Sequence, residues 1–248
     1  MNTQGNFYPT WSPDGKHLAF RSPTPAGSAI QWMRADGSGV PQRLLESKGI
    51  TLPHSFSPDG RRLAYLETDS KTGFDLWTLP LDLGDPDHPK PGKPEPFLQT
   101  QFNERDPMFS SDGRWIAYHS DESGRFEAYV RPFPGPGDKW QVSTGGGTRP
   151  VWSRDGREIF FETLDNRIMV ADYTAKADSF ASGKPRLWSE TRIRDFGGVA
   201  NYDVAPDGKR LAVFPLPAAK EEEKGSVHVT FLLNFFDELR RKVPQSGK

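Results

Sequence analysis

Cysteine is absent from the 248 residues, which excludes disulfide bonds and thiolate chemistry from this chain. Long apolar runs are absent too. The most apolar stretch, residues 231–236, is broken by Asn234 and is far shorter than the roughly 20 residues that cross a bilayer. We therefore expect no membrane insertion by this chain. Residues 1–6 lack the apolar segment of a signal peptide, so the expected location of the chain as written is the cytoplasm.

An excess of charge of either sign is also missing. The sequence has 32 Lys plus Arg against 33 Asp plus Glu, a formal net charge of -1. Proteins that bind nucleic acid gain affinity by releasing counterions from a basic surface, and this composition predicts no nucleic-acid partner. The sequence is instead rich in turn-forming and aromatic residues, with 24 glycines, 23 prolines and 12% aromatic residues. Many turns combined with large rings for a core are typical of an all-β domain with short strands.

One sequence motif recurs five times along the chain. At the centre of the first copy is the segment Trp11-Ser12-Pro13-Asp14-Gly15, which is followed by an apolar strand. The five copies occupy residues 9–20, 54–65, 107–118, 150–161 and 203–213. Their glycines, Gly15, Gly60, Gly113, Gly156 and Gly208, are separated by 45, 53, 43 and 52 residues. This period matches the 40–50 residues of a four-stranded propeller blade, and the alternating apolar residues favour strands over helices.

Each copy predicts a tight turn between two strands, because proline presets the backbone of the turn and glycine adopts the left-handed conformation that reverses the chain. Third strands are expected near residues 29–33, 74–79, 127–130, 167–171 and 227–233, and fourth strands near 42–45, 95–98, 139–142 and 186–188. The aromatic or apolar residue of each inner strand is expected to pack between neighbouring blades. These residues are Trp11, Phe56, Phe109, Trp152 and Val204.

The predicted fold class is therefore an all-β propeller with five recognisable four-stranded blades, the last one incomplete. A six-bladed ring and a truncated ring both stay open. We expect the propeller to span residues 1–236, with a short helix and tail over residues 237–248. Since the fifth blade shows no closing strand of its own, residues before Tyr8 are expected to pair with residues 227–233.

These repeats resemble those of TolB-like propellers, which are relatives of WD-repeat proteins, over nearly the whole chain. The stretches 129–134 and 140–156 also resemble the propellers at the carboxyl end of some bacterial membrane-bound serine/threonine kinases. That second resemblance implies a sensor role and an extracytoplasmic location if the chain belongs to such a kinase. The sequence contains no Gly-rich kinase loop, no His-Arg-Asp and no Asp-Phe-Gly, so kinase activity is not implied.

Several motifs suggest metal or phosphate chemistry but have simpler interpretations. Each repeat has one turn aspartate, and single carboxylates in separate turns do not make a calcium site of six to eight oxygens. Asp85, Asp87 and His88 are close together, yet the surrounding prolines indicate a loop. The glycine-rich segment 144–148 lacks the Lys-Ser/Thr and the helix of a phosphate-binding loop. We expect no metal and no cofactor.

Function is predicted from the loops that enter the inner strands. The residue just before the Pro position of each repeat is Tyr8, Pro53, Asp106, Arg149 and Asn201 in turn. This mixture contains no repeated catalytic group or metal ligand, which favours a non-catalytic platform for a protein, a peptide or a small anionic ligand. A hydrolase or lyase with a site in the central channel is the alternative. A third interpretation is the gating propeller of a prolyl-oligopeptidase-like enzyme.

Charged residues in these loops mark the expected binding site, because variable charged loops on a rigid scaffold commonly carry binding. We expect Arg105, Asp106, Arg125 and Arg149 to form it. The three arginines are expected to line the mouth of the channel, where their guanidinium groups suit carboxylate or phosphate groups.

Overall fold

The structure is a computed structural model that describes residues 7–135, 137–176, 179–197, 201–214 and 216. These residues form antiparallel sheets and contain no helix. Within the same residues there is consequently no helix that could span a membrane. The predicted all-β propeller class is confirmed.

Five sheets follow one another along the chain, and in each of them consecutive strands pair antiparallel, beginning with the first two. The first contains β1 (Phe7–Trp11), β2 (His17–Thr24), β3 (Gly27–Arg34) and β4 (Gln42–Ser47). The second contains β5 (Thr51–Phe56), β6 (Arg62–Asp69), β7 (Gly73–Asp82), β8 (Lys90–Pro91) and β9 (Glu95–Leu98). The third contains β10 (Glu104–Phe109), β11 (Trp115–Ser120), β12 (Glu127–Pro132) and β13 (Trp140–Gln141).

The fourth sheet contains β14 (Thr148–Trp152), β15 (Glu158–Glu162), β16 (Ile168–Lys176), β17 (Ser179–Ser182) and β18 (Arg186–Ser189). In the described part of the fifth repeat, β19 (Tyr202–Val204) pairs with β20 (Leu211–Val213). In the second and fourth sheets the long third strands β7 and β16 each pair with two later strands, which accounts for their fifth strand. The predicted strand at 227–233, its pairing with residues before Tyr8, and the predicted helix and tail at 237–248 lie outside the described residues.

The repeated turn between the first and second strands is held by its own side chains. In the first copy Ser12 Oγ donates to Asp14 Oδ1 at 2.6 Å, and the Lys16 N–H donates to the same oxygen at 3.0 Å. The Gly15 N–H closes the turn on the Ser12 carbonyl at 2.9 Å, and Gly15 has a φ of +68°. The second, third and fourth copies repeat these bonds. Each turn aspartate therefore serves its own turn.

The inner-strand aromatic residues pack against the sheet that precedes theirs in the chain. Phe56 meets Trp32 of the first sheet edge to face at 5.7 Å, and Trp152 bonds to Met108 of the third. Phe56, Phe109, Trp152 and Val204 are all buried. Trp11 is not: 55% of it is exposed, so its predicted burial is wrong. In the described ranges no sheet precedes β1, and Trp11 therefore lacks the neighbour that covers its counterparts.

The inner strand of each of the first four sheets contains a β-bulge at the same position of the repeat. In each of the first four sheets the register between the first and second strands shifts once. The shifts lie at residues 7–10, 53–55, 105–108 and 148–151, in the order of the sheets. Three of the bulged residues, Tyr8, Asp106 and Arg149, have φ values of 55°, 52° and 49°. This left-handed backbone costs about 1–2 kcal/mol for a residue other than glycine, and such strain is typically retained at functional sites.

Candidate functional site

A cavity of about 580 Å³ lies where the bulged strands meet, and we call it the inner-strand cavity. Its volume is in the range of small-molecule sites. The lining comes from equivalent positions of successive sheets, with additional residues from the loops between them. The second strands contribute Arg21, Leu66, His119 and Glu162, and the inner strands contribute Tyr8, Leu52, Arg105, Asp106, Thr148 and Arg149.

The bulge explains how two consecutive residues reach the same cavity. Successive side chains of a regular strand point to opposite faces of the sheet. The left-handed backbone at Asp106 breaks that alternation, and both Arg105 and Asp106 line the cavity. Thr148 and Arg149 are brought together in the same way one sheet later. In the Arg105–Asp106 pair, a cation and an anion thus lie side by side in the cavity wall.

The guanidinium group of Arg105 is held by two aromatic rings. Its Cζ atom lies 3.8 Å from the centre of the Phe74 ring and 5.7 Å from that of Phe126. Its Nε atom is buried and has no hydrogen-bond partner. Burial lowers the pKa of Arg105 from its usual value, and the nearby Asp106 and Asp121 carboxylates partly offset this shift. Arginine stays charged in proteins, so the cavity wall presents a cation that has no ion-pair partner among the described residues.

Asp106 lies between two buried histidines. Its Oδ1 is 3.5 Å from Nδ1 of His54, and its Oδ2 is 3.5 Å from Nδ1 of His119. The main-chain N–H of Arg149 donates to His119 Nδ1 at 3.3 Å, which requires that nitrogen to be unprotonated. Burial lowers the pKa of His119 to about 4, although Asp106 opposes the shift. Both imidazoles are therefore neutral near pH 7, since burial also lowers the pKa of His54.

Arg149, in contrast to Arg105, is occupied by protein carboxylates. Its Nη1 bonds to Glu162 at 2.6 Å and its Nη2 to Asp195 at 3.2 Å. The amide of Asn201 donates to both oxygens of Glu162 at 3.0 Å. Burial acts to lower the pKa of Arg149, but attraction to Glu162, Asp106 and Asp195 outweighs burial and leaves the pKa above its usual value. Arg149 therefore acts mainly as a structural support of the cavity.

The remaining wall is largely apolar, with one further arginine. Ile50, Leu52, Leu66 and Leu164 line the cavity beside the two phenylalanines. Arg21 also lines it, and its buried Nε has no hydrogen-bond partner. An apolar wall with a few converging charges is the usual composition of a small-molecule site.

Arg105, Asp106 and Arg149, three of the four residues that the sequence predicted for the site, are brought together in this cavity. The fourth, Arg125, is not among its lining residues: its side chain is 60% exposed and lies 3.8 Å from Glu127.

The glycine-rich segment 144–148 encloses a carboxylate of the protein itself. The N–H groups of Gly145 and Gly146 both donate to Glu127 Oε1 at 2.9 Å, and Ser143 Oγ donates to Glu127 Oε2. Asp85 and His88 bond to each other at 3.0 Å, while Asp87 accepts from His17 at 2.8 Å. Across the ranges that the structure describes, no cluster of three or more acidic or histidine side chains is arranged to hold a metal ion.

Sequence reasoning missed several residues of the site, namely Arg21, His54, Phe74, His119 and Glu162. A signal for three of them was present. Arg21, His119 and Glu162 each follow directly after the Leu/Ile-Ala/Phe-Phe/Tyr group of their repeat, and that repeat position lines the cavity in all of the first four sheets. His54 and Phe74 reach the cavity region through packing between sheets, for which the repeat offers no signal.

Comparison with known protein families finds none that matches the chain. Among curated proteins, the chain is 25% identical over 160 residues to the uncharacterized protein Atu1656 of Agrobacterium fabrum, covering 62% of this chain and 50% of that protein. It is 28% identical over 122 residues to the uncharacterized peptidase YuxL of Bacillus subtilis, covering 45% of this chain and 18% of the peptidase. The matched regions thus span half or less of these relatives.

Solved structures identify the fold. The chain superposes on TolB from Acinetobacter baumannii with a TM-score of 0.52 at 19% identity, covering 84% of this chain and 54% of that one. It superposes on a puromycin hydrolase with a TM-score of 0.57 at 12% identity, covering 87% of this chain and 38% of the hydrolase. The class of protein is therefore a β-propeller. More particularly, the chain has the TolB-like form of that fold, and at these identities the likeness concerns the fold alone.

Proposed function

We propose that this chain is a non-catalytic binding module that holds an anionic group of its ligand in the inner-strand cavity. The observation that carries the proposal is the state of Arg105. Its guanidinium is fixed by Phe74 and Phe126, and within the part of the chain that the structure describes its buried Nε has no hydrogen-bond partner. Arg105 is only partly buried and lines the cavity, so a ligand carboxylate or phosphate is able to pair with its guanidinium through a charge-assisted hydrogen bond.

The contacts of His119 also support binding over catalysis. A general base needs a free nitrogen within hydrogen-bond reach of a nucleophile or water. His119 Nδ1 instead accepts the Arg149 N–H, and its ring contacts Phe126 edge to face at 5.0 Å. In the described ranges, no serine or threonine hydroxyl donates to a histidine nitrogen. The resemblance to kinase propellers extends this proposal to a sensor role, in which ligand binding is reported to another part of a signalling protein.

A hydrolase function is the second candidate, because the similar proteins include a peptidase and a puromycin hydrolase. This chain matches 18% and 38% of those two proteins. In this second interpretation the hydrolytic site lies in the central channel of the propeller itself, at the inner-strand cavity.

The two functions are separated by one set of measurements on the purified chain. A panel of matched anionic, neutral and cationic small molecules is screened by thermal shift, with Arg105→Gln and Arg43→Gln compared with the parent. Arg43 is an exposed arginine of β4 that pairs with Glu46, and it serves as the control for a lost surface charge. Hydrolysis of p-nitrophenyl acetate and leucine p-nitroanilide is measured on the same samples.

We expect anionic compounds to stabilise the parent and Arg43→Gln but not Arg105→Gln, with no hydrolysis above the buffer rate. Circular dichroism confirms that the variants are folded. Hydrolysis that scales with protein concentration and is lost in cavity variants supports the hydrolase instead. Stabilisation that is independent of Arg105 removes the proposed binding site.

A further inference from the structure

Opposite charges lie next to each other in the wall of the inner-strand cavity, and this arrangement narrows the choice of ligand. Arg105 and Asp106 are consecutive residues, and both line the cavity because Asp106 has a left-handed backbone with a φ of 52°. The side chain of Asp106 is 18% exposed, so its carboxylate is still reached from the cavity. Backbone strain is retained here to present a cation and an anion together.

The charge on each member of this pair lacks a full counterion in the protein. Arg105 contacts aromatic rings, and its Nε is unpaired. Asp106 has two histidine neighbours at 3.5 Å, but burial keeps both imidazoles neutral near pH 7. Neutral imidazoles do not neutralise the negative charge of the Asp106 carboxylate. Two other arginines line the cavity. Arg149 is already bonded to Glu162 and Asp195, and the guanidinium of Arg21 lies 5.8 Å from the centre of the Phe7 ring.

A dianion such as phosphate fits this wall poorly. The Asp106 carboxylate lies directly beside Arg105 in this partly buried wall, where it repels a ligand group with two negative charges. A ligand with one negative and one positive group on neighbouring atoms meets Arg105 and Asp106 without adding net charge. The apolar surface of Ile50, Leu52 and Leu66 lies in the same cavity and accommodates an apolar substituent.

We propose that the inner-strand cavity binds the zwitterion of an α-amino acid with a large apolar side chain. The ligand carboxylate lies on the guanidinium of Arg105, its ammonium group on the carboxylate of Asp106, and its side chain against the wall formed by Ile50, Leu52 and Leu66. This inference rests on the proposed binding function and deepens it.

The test uses calorimetric titration of the whole chain with four probes. L-Phenylalanine carries both charges, N-acetyl-L-phenylalanine keeps only the carboxylate, L-phenylalaninamide keeps only the ammonium group, and inorganic phosphate is the dianion. Each is titrated into the parent, Arg105→Gln, Asp106→Asn and Arg43→Gln. Asparagine is chosen at position 106 because it tolerates the left-handed backbone better than most residues and removes only the charge. Thermal unfolding confirms that each variant is folded.

We expect L-phenylalanine to bind most tightly, with losses on the order of tenfold or more for either probe that lacks one charge. Arg105→Gln lowers the affinity for L-phenylalanine and N-acetyl-L-phenylalanine. Asp106→Asn lowers the affinity for L-phenylalanine but leaves that for N-acetyl-L-phenylalanine unchanged or higher. Arg43→Gln binds every probe as the parent does.

Two further outcomes separate this inference from the function on which it rests. If N-acetyl-L-phenylalanine or phosphate binds as tightly as L-phenylalanine and does so through Arg105, the zwitterion is overturned while the anion-binding module stands. If no probe binds, or binding does not depend on Arg105, the zwitterion inference is overturned. The screen described above then decides separately whether the cavity binds other anions.

Discussion

The indole Nε1–H of Trp152 in β14 donates a hydrogen bond of 2.8 Å to the main-chain oxygen of Met108 in β10. The bond joins the inner strands of the fourth and third sheets. The Trp152 ring also packs edge to face on Tyr173 at 4.9 Å and contacts Phe180. One repeated aromatic position thus fixes neighbouring sheets through both apolar contact and a backbone hydrogen bond.

The first prediction compares Trp152 with its counterpart Trp11. Trp152→Ala is expected to lower the free energy of unfolding by about 3–5 kcal/mol, because it leaves a cavity in a packed core. Trp11→Ala is expected to cost less than about 1 kcal/mol, since 55% of Trp11 is exposed and surface substitutions have small effects. Urea unfolding followed by tryptophan fluorescence measures both. Equal costs would show that Trp11 is covered in solution.

The second prediction concerns Glu127 beneath the glycine-rich segment. Glu127→Ala removes the acceptor for the N–H groups of Gly145 and Gly146 and for Ser143 Oγ. Buried donors left without partners cost about 1–3 kcal/mol each, so this variant is expected to be clearly destabilised. Arg125→Ala, two residues away with a side chain that is 60% exposed, is the control and should unfold like the parent in urea.

The third prediction is a loss of stability in acid that depends on His119. Burial holds the pKa of the folded-state imidazole at about 4, below its usual 6.5. The unfolded chain therefore binds more protons than the folded one below pH 6.5, and stability falls as the pH drops from 6.5 towards 4. His119→Asn, whose side-chain oxygen is available to accept the Arg149 N–H, is expected to show a shallower fall.

Urea unfolding at pH 7.0 and pH 5.0 measures this difference. His88→Asn is the control, because the side chain of His88 is 75% exposed. A fall in stability that is as steep in His119→Asn as in the parent and in His88→Asn contradicts the assignment to His119.

The fourth prediction has the opposite sign and concerns Glu104. This residue is 1% exposed, Thr100 Oγ1 donates to its Oε1 at 2.5 Å, and its Oε2 has no partner. Burial raises the pKa of Glu104 to about 7, with the carboxylates of Asp75, Glu122 and Asp121 adding to the effect. The folded state therefore binds the extra proton, and the stability that Glu104 contributes below its usual pKa of 4.5 is lost as the pH rises through 7.

Glu104→Gln keeps the shape of the side chain and removes the ionisation. We expect it to be more stable than the parent at pH 8 and close to the parent at pH 5, as measured by thermal unfolding at the two values. Glu46→Gln, on the exposed edge strand β4, is the control and should change little at either pH. A variant that is destabilised equally at both values would assign Glu104 a structural role that is independent of its charge.

How much of the site was predictable is clear from Arg105 and Arg149. Both were selected because the sequence predicted them in the loops that enter inner strands; the structure places them within the inner strands β10 and β14, and both line the cavity. The sequence could not show which of the two guanidinium groups is paired with carboxylates of the protein. Phe74 and Phe126, which come from other strands and loops, leave the Arg105 guanidinium without a carboxylate, while Glu162 and Asp195 neutralise that of Arg149.

The sequence by itself determined the local structure. The Ser-Pro-Asp-Gly turns, the alternation of apolar residues and the spacing of the repeats led directly to antiparallel sheets, because turn chemistry and strand periodicity act over a few neighbouring residues. Tertiary structure alone decided which charges meet. The position of His54 beside Asp106 and the exposure of Trp11 depend on the neighbouring sheet. Contacts between residues 40 or more positions apart are set by packing, and the repeat pattern does not record them.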